Sequence, residues 1–342
     1  MTTPNPPDKA GAAAPSPALL DHGTILSIMS GIMLAMFLSA LEQTIVSPAL
    51  PTIGRSLGDV ETLSWVVSAY LLTYTAATPL FGKLSDIYGR RLMLLTSLAI
   101  FIVGSAACAL APNMPALIVA RALQGIGGGG ILPIAHTVIG DMVAPRERPR
   151  YMAYTSVMFM VASVLGPLLG GVLTDYFHWT MIFWINLPLG VLAFIAIFLV
   201  LRLPSSRLTS PIDWWGLGFM NAGAVAIVLM ATWGGNQYAW TSPVIIGLGV
   251  VGLVCWGLFG FVETRATDPI LPWTILTSRT FIVSTLVGML AMGGMIGVLS
   301  YLPTYLQMVY GYSATTSGLL LVPITIGMLV SSILSGVLVS RT

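Results

Sequence analysis

The chain has 342 residues, of which 56% are hydrophobic and only 8% are charged, and its formal net charge is +2. An ordinary soluble domain carries about 25% charged residues, so this composition excludes a soluble globular protein, whose surface it could not cover. So small a net charge also gives no case for binding nucleic acid.

Ten apolar segments are long enough to cross a bilayer, whose hydrocarbon core of about 30 Å requires about 20 helical residues. The sequence therefore predicts an all-α polytopic membrane protein. We place the spans near 25–47, 62–81, 92–111, 115–139, 151–173, 179–201, 214–233, 243–262, 281–302 and 314–339.

The basic residues predict the orientation, because Lys and Arg are held on the cytoplasmic side. With the N-terminus in the cytoplasm, only Arg55 lies outside, and Arg121 falls within a span. We expect a multi-pass protein of the plasma (cell inner) membrane that acts as a monomer. The twelve residues on the cytoplasmic side are Lys9, Lys83, Arg90, Arg91, Arg146, Arg148, Arg150, Arg202, Arg207, Arg265, Arg279 and Arg341.

Residues 1–24 are rich in proline and alanine and are expected to form a disordered cytoplasmic tail.

Cys108 and Cys255 fall in apolar spans, where small packing residues are expected rather than a disulfide or metal pair. The three histidines, at 22, 136 and 178, are not at ligand spacing. The sequence therefore predicts no metal site and no cofactor.

The first span carries one carboxylate on a face of small residues. Gly31, Ala35, Ser39 and Glu42 follow at spacings of four, four and three, which places them on one side of a helix. A charge at mid-bilayer costs about 2.5 to 3.5 kcal/mol on insertion scales, so Glu42 should face protein or a water-filled cavity. The alternative is a carboxylate at the outer interface that reaches the headgroups.

The segment GKLSDIYGRR, residues 82–91, concentrates charge between the second and third spans. Gly82 and Gly89 allow a tight turn, and the cations Lys83, Arg90 and Arg91 suit an anionic cytoplasmic lipid surface. We predict a short hairpin loop here.

The fourth span contains RALQGIGGGG, in which Arg121, Gly125 and Gly128 share a face. The arginine therefore faces a nearly bare backbone. Such a surface permits either close packing of a neighbouring helix or an open cavity wall.

The two charges within spans lie at matching depth. Glu42 is six residues inside Pro48 and Arg121 is six residues inside Pro115, so both lie about 9 Å below the outer ends of their spans. They could pair directly, through Gln124 or through water, and such a pair would couple proton binding to conformational change. The alternative is that Arg121 is a purely structural buried charge.

The fifth span contains Gly166, Pro167, Gly170 and Gly171. Pro167 removes a helix hydrogen bond, and Gly166 with Gly170 forms a small face that permits close approach. A kinked packing helix without further role is the alternative.

The charged segment before the fifth span, 141–150, is either a solvated turn or a gating contact. The sixth span opens with FWINLPLG, to which the sequence assigns no role.

A polar break at 203–213 predicts a cytoplasmic loop that separates a six-helix bundle, 25–202, from the later spans. Residues 214–262 form a predicted pair of linker spans, whose connection carries aromatic residues suited to the outer interface. Residues 263–342 begin a second bundle. Their last segment, SGVLVSRT, weakly repeats the motif at residue 82.

These motifs together resemble those of the major facilitator superfamily, in its branch of drug:proton antiporters with fourteen spans. Two departures are Glu42, where an aspartate is usual, and Ile87, where a basic residue is frequent. Ala162 also replaces the first glycine of the antiporter pattern G-x-x-x-G-P-x-x-G-G. The matching residues are Gly82, Leu84, Asp86, Gly89, Arg90 and Arg91 in the loop, Arg121, Gln124, Gly125, Gly127, Gly128 and Gly129 in the fourth span, and Gly166, Pro167, Gly170 and Gly171 in the fifth.

The resemblance implies a six-span N-terminal bundle, two linker spans and the first two spans of a C-terminal bundle. It implies that Glu42, Arg121 and Gln124 couple protons to substrate, and that the loop with Gly82, Asp86, Gly89, Arg90 and Arg91 gates the inner side. Asp86 would then contact the N-terminus of a helix in the second half. Because four of fourteen spans are unaccounted for, we expect the chain alone to insert without transporting.

The predicted function is proton-coupled export of amphipathic or lipophilic compounds, with the bilayer, a small molecule and protons as partners. The alternatives are a uniporter or symporter of a small polar solute, and a non-transporting sensor or remnant on the same scaffold. Enzymatic activity is not expected, because the sequence contains neither a Walker A motif nor a catalytic constellation in its spans.

Overall fold

The structure, a computed structural model, describes residues 22–59, 62–143, 147–201, 213–235, 237–265 and 273–312, with scattered residues from 316 to 334. Those residues are almost entirely helical. The α-helices are α1 His22–Ile45, α2 Leu50–Leu57, α3 Ser64–Tyr88, α4 Arg90–Ala109, α5 Met114–Met142, α6 Arg148–Tyr176, α7 Met181–Trp184, α8 Asn186–Val200, α9 Trp214–Trp233, α10 Pro243–Glu263, α11 Trp273–Leu276 and α12 Arg279–Tyr310. A 3-10 turn, Ser47–Ala49, joins α1 to α2.

Nine of the ten predicted spans coincide with helices, the sixth being α7 together with α8. By length and composition, seven helical segments of the described chain could cross a membrane. Residues 1–21 of the predicted tail, and most of the tenth span at 314–339, lie outside the described residues. The end of the predicted tail is wrong, because α1 begins at His22 and includes residues 22–24. The all-helical fold class is confirmed.

Helix α5 packs closely on both α3 and α4 because its glycines remove side chains at the contacts. On the α4 side, a Cβ atom on Gly127 would meet the Phe101 backbone nitrogen. On the face shared with Arg121, one on Gly125 would meet the Tyr70 carbonyl and one on Gly128 the Tyr70 hydroxyl. Of the two possibilities for this glycine face, close packing is therefore confirmed.

The glycines of the fifth span serve the contact between α6 and α1. A Cβ atom on Gly166 would meet the Thr44 hydroxyl, and one on Gly170 would meet the carbonyl oxygen of Ile45. Gly171 has nothing within 4 Å of that position. Helix α1 also packs on α8, while α9 packs on α10 and α3.

The buried apolar side chains of the bundle form two clusters, one toward each end of the helices. Along α1, one cluster runs from Ile25 to Leu38 and the other from Ala40 to Val46. Along α5, the first begins at Ile131 and the second ends at Ala120. Ser39 of α1 and Arg121 and Gln124 of α5 lie between these clusters, and Glu42 lies at the adjoining edge of the second cluster.

The predicted loop from Gly82 is wrong in its extent, because α3 continues through Tyr88 and only Gly89 separates it from α4. Gly89 has φ of 94°, which L side chains rarely adopt, so it is the residue that makes the turn. A Cβ atom on Gly82 would meet nothing within 4 Å, so no turn or close approach requires that glycine. Across this turn, Asp86 near the end of α3 pairs with Arg90 at the start of α4.

Candidate functional site

Glu42 and Arg121 form a direct ion pair in the polar layer between the two apolar clusters. The Arg121 Nη1 atom donates to Glu42 Oε1. The relative exposure of Glu42 is 0% and that of Arg121 is 2%, which rules out a carboxylate at the outer interface. Among the three pairing modes left open by the sequence, the direct one is therefore found.

Three further groups hold the Arg121 guanidinium in place. Its Nε atom donates to the Val66 carbonyl at 2.9 Å, and Nη1 also donates to Gln124 Oε1 at 2.7 Å. The Tyr70 ring lies under it, with 4.3 Å between Cζ and the ring centroid. The position of the cation is thus set by α3 and α5 together, at a site where desolvation strengthens each contact.

The second oxygen of Glu42 is bound by a different set of residues. Asn186 Nδ2 donates to Glu42 Oε2 at 2.5 Å and lies 3.4 Å from Ser105 Oγ. Gln124 Nε2 donates to the same serine oxygen at 2.7 Å. The two charged residues are therefore joined in one buried hydrogen-bonded network drawn from α1, α4, α5 and α8.

Three buried oxygen atoms near the ion pair have no hydrogen-bond partner among the described residues: Ser39 Oγ, Tyr70 Oη and Asn186 Oδ1. Ser39 lies one helical turn from Glu42 on the same face of α1. Unpartnered buried oxygens are costly and cluster at functional sites, so the polar layer is not optimised for stability alone.

The charged residues of the predicted loop form a second cluster at the other end of α3. Arg90 pairs with Asp86, lies 3.1 Å from Asp141 Oδ2 at the end of α5, and donates to Ser85 Oγ at 2.7 Å. Arg91 donates to the Phe198 carbonyl at 2.5 Å near the end of α8. Arg90, at the start of α4, thus connects the ends of α3 and α5, and Arg91 adds the end of α8.

The charged segment before α6 also makes a specific contact. Arg148 Nη2 donates to the Gly140 carbonyl at 2.7 Å, which satisfies a carbonyl group in the last turn of α5. Residues 144–146 of this segment lie outside the described residues.

The structure brings together Glu42, Arg121 and Gln124, as the sequence predicts. The residues Gly166, Pro167, Gly170 and Gly171 belong to α6, where Gly166 and Gly170 face α1 and Gly171 does not. The sequence did not identify Tyr70, Ser105 or Asn186 as site residues. Asn186 carried a usable signal, because an asparagine within the apolar string FWINLPLG requires a polar partner. A lone serine or tyrosine in a span carries no comparable signal.

The number and length of the apolar helices indicate an integral multi-pass membrane protein. The family model described as Major Facilitator Superfamily matches residues 32–342, and the chain belongs to that superfamily. Its members are transporters rather than enzymes.

The comparisons with individual proteins agree with this assignment. Multidrug transporter protein MdtP of Bacillus subtilis is 40% identical over 316 residues, which are 92% of this chain and 58% of MdtP. Efflux pump dotC of Dothistroma septosporum is 38% identical over 341 residues, 98% of this chain and 58% of dotC. The solved proton:xylose symporter XylE of E. coli shares the fold at a TM-score of 0.60 and 13% identity, covering 93% of this chain and 70% of that one.

The predicted resemblance to multidrug efflux transporters is thereby confirmed. The chain spans 58% of the length of each of the two relatives named.

Proposed function

We propose that this protein belongs to a proton-coupled transporter that exports amphipathic or lipophilic compounds in exchange for protons. The observation that carries the proposal is the ion pair between Glu42 and Arg121, closed off by apolar clusters toward both ends of the bundle. The names of MdtP and dotC, a multidrug transporter and an efflux pump, support the choice of cargo.

The coupling is electrostatic in origin. A buried carboxylate binds its proton with a free energy that depends on the distance to a nearby cation. A movement of α5 relative to α1 changes that distance, so it changes the protonation free energy of Glu42. By linkage, proton binding then changes the balance between the two arrangements. A conformational cycle that moves substrate outward would in this way return protons inward.

The test measures proton release and compound uptake together in proteoliposomes. Because the chain spans 58% of MdtP, the assay uses the chain alone and a fusion that continues it with the remaining part of MdtP, with MdtP itself as positive control. The fusion should exchange a lipophilic cation for protons, whereas the chain alone should not.

Variants at Glu42 identify the proton site in that fusion. Glu42→Gln should remove proton exchange while the protein stays in the membrane, and Glu42→Asp should keep part of it. Glu263→Gln is the matched control, because Glu263 is also buried but lies in α10, away from the polar layer. Equal proton exchange by Glu42→Gln and the unmodified fusion would contradict the proposal.

The same assay separates the alternatives. Uptake without proton movement indicates a uniporter, and protons moving with the compound indicate a symporter. A fusion that inserts and binds the compound but moves neither, while MdtP transports, indicates a non-transporting protein.

The orientation with the N-terminus in the cytoplasm is part of the proposal and rests on the twelve basic residues on one side. The proposal also includes the division into a bundle at 25–202, a loop at 203–213, a linker pair at 214–262 and part of a second bundle at 263–342.

In the proposed orientation the cluster of Asp86, Arg90 and Asp141 lies at the cytoplasmic end. We expect it to hold the inner gate, so Asp86→Asn in the fusion should change labelling of cytoplasmic-side cysteine probes.

A further inference from the structure

Asn186 lies at a break in the sixth span. Helix α7 ends at Trp184 and α8 begins at Asn186. Pro188 accounts for the break, because it has no N–H to donate to the Trp184 carbonyl four residues earlier and its ring crowds that carbonyl. The Asn186 amide, in the first turn of α8, lies against Glu42, with Nδ2 2.5 Å from Oε2.

The other end of this amide has no partner. Asn186 is fully buried, and its Oδ1 atom accepts no hydrogen bond from any residue in the described part of the chain. A primary amide carries a donor at one end and an acceptor at the other, and rotation about the bond to the carboxamide exchanges them. In the observed orientation no hydrogen bond at the far end holds the amide, so the contacts of the near end with Glu42 and Ser105 set its orientation.

Protonation of Glu42 changes which end of the Asn186 amide, the donor or the acceptor, suits the contact with Oε2. Arg121 binds Oε1, which leaves Oε2 to take the proton. An ionised Oε2 only accepts hydrogen bonds and therefore favours Nδ2, whereas a protonated Oε2 donates and therefore favours Oδ1. Ser105 fits both orientations, because its hydroxyl both accepts and donates. The other titratable groups facing Glu42 are Tyr70 of α3 and Cys108 of α4.

We propose that Asn186 is a positioning residue that responds to the proton on Glu42. It donates from Nδ2 to the ionised carboxylate, and it turns over to accept the Oε2 proton through Oδ1 when Glu42 is protonated. This inference rests on the proposed function in one respect, that Glu42 takes up and releases protons. The turn of the amide transmits that event to α8 and, through Ser105, to α4.

The test is infrared difference spectroscopy of the reconstituted chain between acidic and alkaline buffer, with asparagine labelled by ¹³C. Protonation of Glu42 should produce a carboxylic-acid band that Glu42→Gln lacks. An isotope-sensitive change in an asparagine side-chain amide band should accompany it and should also be absent in Glu42→Gln. This comparison needs no variant at position 186.

Asn186→Leu should lose the asparagine signal and should keep the Glu42 acid band at a higher wavenumber, because the protonated carboxyl has lost its acceptor. Asn221→Leu is the matched control, because Asn221 of α9 also has an Oδ1 atom without a partner among the described residues. It should leave both signals unchanged.

A Glu42 acid band without any labelled asparagine change overturns the inference and leaves the proposed function standing. An asparagine signal that survives Asn186→Leu also overturns it. If Glu42→Gln removes no acid band, Glu42 does not titrate, and both the inference and the proposed proton site fail.

Discussion

Removal of the Arg121 guanidinium should destabilise the bundle by about 3 to 5 kcal/mol, because it leaves the Glu42 charge buried without its partner. The structure identifies what is lost. Arg121→Ala leaves the Val66 carbonyl without its donor, frees Gln124 Oε1, and removes the cation from the Tyr70 ring. The uncompensated carboxylate is the largest of these losses, since the other acceptors are neutral.

The double variant Arg121→Ala with Glu42→Gln separates these contributions. It removes the buried charge but does not restore the hydrogen bonds from Arg121 to Val66 and Gln124, so it should recover only part of the loss. Contacting residues in one network show coupling energies of about 0.5 to 3 kcal/mol. A fully buried ion pair should lie in the upper part of that range, at about 2 to 3 kcal/mol.

The assay is denaturant unfolding in detergent micelles, followed by circular dichroism. It compares the unmodified chain, Arg121→Ala, Glu42→Gln and the double variant. Arg55→Ala is the control, because Arg55 of α2 is exposed and its hydrogen bond to Thr52 is long, at 3.4 Å. Its effect should be within about 0.5 kcal/mol. If Arg121→Ala costs no more than this control, or if the double variant simply adds the two single effects, the ion pair does not stabilise the bundle as expected.

Two pairs of glycine variants test the packing and the turn by shifts in the thermal midpoint. Gly170→Ala should cost about 1 to 3 kcal/mol because its Cβ meets the Ile45 carbonyl, whereas Gly171→Ala meets nothing within 4 Å and should be neutral or stabilising. Gly89→Ala should cost about 1 to 3 kcal/mol because the φ of Gly89 is 94°, and Gly82→Ala, inside α3, should not. Equal effects within either pair would show that the assigned contact or turn is wrong.

The sequence predicted the helices and the partners of the ion pair because both follow from the position of residues along the sequence. Apolar length fixes where a span lies, and the prolines at 48 and 115 fix the depths of Glu42 and Arg121. Two charges at equal depth in apolar surroundings have a strong energetic reason to meet.

The remaining site residues depend on which helices are neighbours, and a single sequence does not contain that information. Asn186 meets Glu42 only because α8 packs beside α1, and Ser105 joins them only because α4 packs beside α8. The extent of α3 was missed for a different reason. Charged side chains indicate exposure to water, but an exposed helix end is as compatible with them as a loop is.

The arrangement of helices around the polar layer shows which movement would separate the ion pair. Helices α3, α4 and α5 form one group, and α1, α6 and α8 form another. Contacts within the groups include glycine faces against backbone, as at Gly127 on Phe101 and Gly170 on Ile45, and these cannot slide without collision. Across the boundary, the corresponding Gly190 faces the side chain of Ile102, which is able to change rotamer.

Both polar connections of Glu42 to the other group cross this same boundary. One runs directly to Arg121 of α5, and the other runs through Asn186 of α8 to Ser105 of α4. A shift of one group against the other would therefore change the surroundings of both carboxylate oxygens at once. Such a shift would leave the tight glycine contacts intact, so under the proposed function proton binding at Glu42 would be energetically linked to the relative position of the two groups of helices.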